Sequence, residues 1–83
     1  MRHMQGDISK NTAANVLYHF RREGFPGGSF TEALLVAFAK ADNENHMKLT
    51  MAFPEEGDAM FMAKNYPDGI DRLRAILKGD HDG

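Results

Sequence analysis

Gly24-Phe25-Pro26-Gly27-Gly28-Ser29-Phe30-Thr31-Glu32-Ala33-Leu34-Leu35-Val36-Ala37-Phe38-Ala39-Lys40-Ala41 is the stretch whose reading decides the fold. It holds a helix stop, a turn and a helix start. Gly24 supplies a left-handed residue past a helix end, Phe25 packs back on the last turn, and Pro26 forbids continuation. Pro26-Gly27-Gly28 turns the chain, and Ser29 with Glu32 forms a capping-box pattern. From Phe30 to Ala41 the only charged residues are Glu32 and Lys40. Phe30, Leu34, Leu35 and Phe38 span a wide arc, and Val36, Ala37 and Ala39 cover most of the remainder. A helix apolar nearly all round is expected to be buried nearly all round, at the centre of the fold.

Upstream, a helix is expected from about Thr12 to Glu23, capped by Asn11 or Thr12, with Ala13, Val16, Leu17 and Phe20 on one face. Residues 1–10 mix charge, Gly6 and polar groups without a period and read as a mobile tail. Downstream, Asp42 to Asn45 offers turn and cap residues. Met47, Leu49, Met51 and Phe53 then alternate with His46, Lys48, Thr50 and Ala52, which is a strand period. As a helix, the same residues place Met47 and Met51 on one side and Leu49 and Phe53 nearly opposite. The flanks favour helix, because Asp42 or Asn43 caps its start and Pro54 ends it.

Pro54-Glu55-Glu56 opens a further helix that carries Met60, Phe61 and Ala63 and ends near Lys64. Asn65 to Gly69 is turn chemistry. A last helix, Ile70 to Lys78, packs Ile70, Leu73, Ile76 and Leu77 and is closed by Gly79, before a short mobile tail at 80–83. The expected architecture is an all-α, compact bundle of four to five short helices over 11–79. The alternative is an α+β fold with a hairpin at about 47–62.

The chain has 83 residues, enough for one domain, with 42% hydrophobic and 27% charged residues. Its lack of cysteine excludes a disulfide scaffold, a zinc ribbon and a thiol nucleophile. A net charge of −2 argues against coating nucleic acid by bulk charge. No apolar run approaches the roughly 20 residues that cross a bilayer, and the first ten residues lack the apolar core of a secretory signal. A cytoplasmic protein is therefore expected, without a membrane partner. Six Phe and six Met are a generous apolar load for so small an interior. A homo-oligomer is expected, most simply a twofold dimer, with part of Phe30 to Ala41 or Met60 to Ala63 crossing the boundary.

Signatures of catalysis are absent: the sequence has no GxSxG, HExxH, Walker loop or dinucleotide fingerprint. His19 and Glu23 stand four apart and resemble a metal pair, though a solvated polar pair explains them as well. Asp42, Glu44 and His46 begin like a calcium loop, but Met47 and Phe53 occupy its glycine and glutamate positions. Glu55, Glu56 and Asp58 are explained by a helix entrance. No metal or cofactor is expected.

One constellation fits an anion. Arg21 and Arg22 precede the glycines, Gly27 and Gly28 permit close backbone approach, and Ser29 and Thr31 open a helix. Tyr18, one turn from Arg22, offers a stacking face for a base. The same residues also read as a plain turn and cap, and Glu32 sits where it repels phosphate. A helix-turn-helix reader of DNA needs an exposed polar recognition helix, which Phe30 to Ala41 does not supply. Arg72, Arg74 and Lys78 on the last helix form a modest basic group.

NTAANVLYHFRREGFPGGSFTEALLVAFAKAD, followed by N…KL…AFPE and GIDRLRAIL, resembles a set of short uncharacterised proteins encoded by tailed phages of actinobacteria. The resemblance spans roughly Asn11 to Leu77. Its most specific pieces are Pro26 to Leu35, Ala41-Asp42, Phe53-Pro54-Glu55 and Gly69-Ile70. It implies a setting, the cytoplasm of an infected bacterium, and transfers no activity or site residue. In that setting the leading expectation is a non-catalytic accessory protein, not an enzyme, that self-associates and sequesters an anionic nucleotide signal between subunits. That role would serve evasion of anti-phage defence. The alternatives are an inhibitor that binds a host enzyme or transcription factor through Met47, Met51, Met60 and Met62, and a DNA-binding regulator.

Overall fold

Ser9 accepts a hydrogen bond from the Thr12 backbone N–H at 3.1 Å and so caps the first helix. The computed structural model describes residues 8–79. Five helices follow one another: α1 Lys10–Arg21, α2 Ser29–Lys40, α3 Asn43–Ala52, α4 Pro54–Asn65 and α5 Gly69–Lys78. No strand occurs among the described residues. The fold is an all-α bundle, and the hairpin at 47–62 is not formed. The tails expected at 1–7 and 80–83 lie outside the described residues.

Helix α1 begins earlier than its sequence signals placed it. The cap is Ser9 rather than Asn11 or Thr12, and Ile8 just before it is buried in the core. Residues 8–10 therefore belong to the fold and not to a tail. The helix also ends earlier, at Arg21. Arg22 is left-handed (φ 58°) and its N–H returns to the Tyr18 carbonyl at 3.1 Å. Gly24 is left-handed too, at φ 76°. A Cβ there would stand 2.7 Å from the Ala14 carbonyl oxygen, so only glycine lets the loop lie against α1.

The centre of the fold is α1 with α4, not α2. Thr12 to Leu17 are all buried, because α5, α4 and α2 each pack on α1. Helix α4 in turn touches all four other helices. Phe38, Leu17, Leu35, Met60, Leu73 and Val16 are the largest fully buried side chains. Helix α2 buries only Leu34, Leu35 and Phe38, and leaves Phe30 66% and Val36 42% exposed. Expecting burial all round was wrong because so small a bundle has neighbours for α2 on one side only. The capping box is also not formed. Gly28 is the cap residue, Ser29 is already helical, and no side chain caps the first turn.

At Asp42 the sequence signals hold. Its carboxylate accepts from the Asn45 N–H at 2.9 Å and starts α3. Phe53 ends α3 and precedes Pro54 at the first position of α4. Leu49 and Phe53 pack against the core, while Met47 and Met51 are exposed on the opposite side. A Cβ at Gly57 would collide with Thr50, so glycine permits the close crossing of α3 and α4.

Two polar contacts pin the loop after α1. The Asn15 amide donates to the Phe25 carbonyl at 3.0 Å. Arg74 on α5 donates from two nitrogens to both oxygens of Glu23, each at 2.8 Å, and also to Asp71 at 2.9 Å. Arg72 pairs with Asp68 at 3.0 Å and lies over the Tyr66 ring. Two cations of the basic group on the last helix are thus neutralised within the molecule.

Two stability predictions follow from this packing. Phe38→Ala should cost about 3–5 kcal/mol in urea unfolding, and a variant that unfolds like the parent would remove Phe38 from the core. The Arg74 hydrogen bond holds the Glu23 carboxyl below its ordinary value of 4.5, with the charges of Arg74 and Arg21 adding to it. A depressed carboxyl contributes stability above its unfolded value that is lost as pH falls through the folded one. The gap in stability between the parent and Arg74→Gln should therefore narrow as pH falls below about 4. A gap that stays constant would contradict the assignment.

Candidate functional site

The residues selected for an anion site are divided by the structure. Tyr18 and Arg22 come together, with the guanidinium carbon 4.9 Å from the centre of the phenol ring. Both line a hollow of about 280 Å³ with Asn15, His19, Glu32, Leu35 and Val36. Gly27 lies against Thr31 and Asn15, so it serves the turn. Gly28 faces open space and Ser29 is exposed at the start of α2. Arg21, Gly27, Gly28, Ser29 and Thr31 do not line the hollow. The early end of α1 explains part of this division. Arg22 leaves the helix in a left-handed turn, while Arg21 remains on it, near enough to Glu23 to lower that carboxyl. Glu32 places a negative charge in the same hollow as Arg22.

Glu23 is committed to Arg74, and it lies beyond the helix that would have set it one turn from His19. Glu55, from the acidic entrance of α4, accepts from the Ser9 N–H at 2.6 Å. Met60 and Met62 are buried, so among the described residues the exposed methionine surface consists of Met47 and Met51.

A larger open groove, about 840 Å³, lies between α3 and α4. Met47 is 66% exposed and Met51 83%, on one side of α3; Phe61 on α4 is 47% exposed. All three line the groove, as do His46, Thr50, Asp58 and Lys64. The His46 ring is held edge-on between Phe38 at 5.1 Å and Phe61 at 5.9 Å. Its Nε2 is buried and has no hydrogen-bond partner among the described residues. Lys64 donates to the Phe38 carbonyl at 3.3 Å and so satisfies the end of α2. Asp58 is half-buried, and burial pushes its carboxyl above the ordinary value of 3.8.

Sequence reasoning found the two methionines but not this groove. Asp58 was absorbed into a helix entrance, and His46 into an alternating pattern. The available signal was the helical reading of 46–53, which leaves Met47 and Met51 opposite the core-facing Leu49 and Phe53. Asp58, Phe61 and Asn65 also recur at helical spacing on α4. Joining the two faces required knowing that α3 and α4 pack side by side.

No helix among the described residues is long and apolar enough to cross a membrane. No protein-family model matches the sequence, and no curated protein or solved structure matches it.

Proposed function

We propose that this is a non-catalytic docking protein that captures an apolar segment of a partner protein in the groove between α3 and α4. The observation that carries the reading is the exposure of Met47 and Met51 beside Phe61 around that groove. Long apolar side chains left in water at one place are a cost that a partner removes. Methionine is suited to such a surface, because its unbranched, polarisable chain re-packs around differently shaped partners. A groove of this size falls in the range that accepts several side chains. In the setting implied by the resemblance to phage proteins, the partner is a host protein.

The test is a titration with an amphipathic helical peptide that presents Leu and Phe on one face and Gln on the other. The Met47 and Met51 methyl signals should shift first in NMR spectra. Met51→Glu should weaken binding at least tenfold, while the stability of the free protein stays within about 0.5 kcal/mol of the parent. Unchanged affinity would sink the docking reading.

A second reading, an anionic nucleotide held between subunits, is favoured by the Arg22 guanidinium over the Tyr18 ring. Val36 lines that hollow and is also exposed on the outer face of α2, near Phe30, Ala33 and Ala37 on the helix surface. A second copy covering this face would close the hollow. On this reading, Arg22→Ala weakens nucleotide binding by roughly 1.5–3 kcal/mol, with little change in melting temperature. A nucleotide panel that gives no thermal shift, or light scattering that returns a monomer at all concentrations, would count against it.

A further inference from the structure

We infer that the segment docking between α3 and α4 carries a basic side chain, Lys or Arg, that pairs with Asp58, next to an apolar anchor lying on Met47, Met51 and Phe61. This rests on the docking reading above and adds the chemical class of the partner.

Asp58 is half-buried in the wall of the groove and makes no hydrogen bond or ion pair among the described residues. The other acids around it are accounted for differently. Glu55 binds the Ser9 N–H, and Glu56 lies in the first turn of α4, where the helix dipole favours an anion. Asp58 lies beyond that turn. The cation in the groove, Lys64, is turned to the Phe38 carbonyl. Burial is the one cause acting on the Asp58 carboxyl, with no cation opposing it. A carboxylate partly removed from water without a counter-charge is a standing cost. Apolar walls strengthen any pairing made there relative to open solvent. The long apolar stem of Lys or Arg also suits a groove rimmed by methionine and phenylalanine.

The experiment uses two synthetic amphipathic peptides that share a Leu and Phe face and differ only in Arg or Gln beside it. Calorimetry on the native protein should show the Arg peptide binding about tenfold more tightly. In Asp58→Asn the preference should disappear. The free variant should also melt higher than the parent near pH 7, and that gain should vanish near about pH 3, where Asp58 is protonated in both states. Equal affinity of the native protein for the two peptides would overturn the inference while leaving the docking reading intact. A preference that survives in Asp58→Asn would equally overturn it. Failure of both peptides to bind would remove the docking reading and this inference together. The native comparison requires no variant, so it decides the question even if Asp58→Asn does not fold.

Discussion

Everything in this bundle depends on the burial of α1. Ala13, Ala14, Val16 and Leu17 are fully enclosed, with α4 and α5 packed on this helix. Such enclosure has a consequence for the chain that leaves α1. The loop must fold back over the helix, and it does so with a glycine against Ala14 and a buried Asn15 amide on the Phe25 carbonyl. Arg74 then holds the far side of the loop through Glu23. A buried amide with a fixed partner is worth more as a locator than as a source of stability, since it disfavours every other path for the loop.

Much of this was legible in the sequence because the signals were local. Asp42, Pro54, Pro67-Asp68-Gly69 and Gly79 fix helix ends through caps, missing N–H groups and left-handed backbone. Those interactions act within one turn, and the helix order followed from them. The errors have the opposite character. Whether α2 or α1 sits at the centre depends on which helices pack where, and both are apolar enough for the role. The all-apolar look of α2 was misleading because periodicity reports what a face could bury, not how many neighbours exist to bury it. The capping box failed for a smaller reason. The first turn of α2 begins one residue earlier than the pattern assumed, which makes Gly28 the cap.

The candidate sites were only half legible, for related reasons. Tyr18 and Arg22 lie one turn apart, and spacing alone brings them together. Asp58 and Met51 meet around one groove only because Gly57 admits Thr50, a contact between two helices that neither helix announces. Grooves between elements are a property of packing, and a sequence shows their two halves separately.

Helix α3 has a particular place in this arrangement. It has no fully buried residue and packs chiefly on α4, with a smaller contact to α2, whereas α1 and α4 carry most of the core. Opening free energies differ across a structure, and elements with few buried contacts lie at the low end. One wall of the groove, α4, is anchored by Met60 and Met62, and the other, α3, buries no side chain fully and carries Met47 and Met51. The anchored wall fixes where a charge such as Asp58 stands, and the methionine wall fits the shape of what arrives. An apolar anchor lying on Met47 and Met51 would bury side chains on the one helix that buries none fully among the described residues.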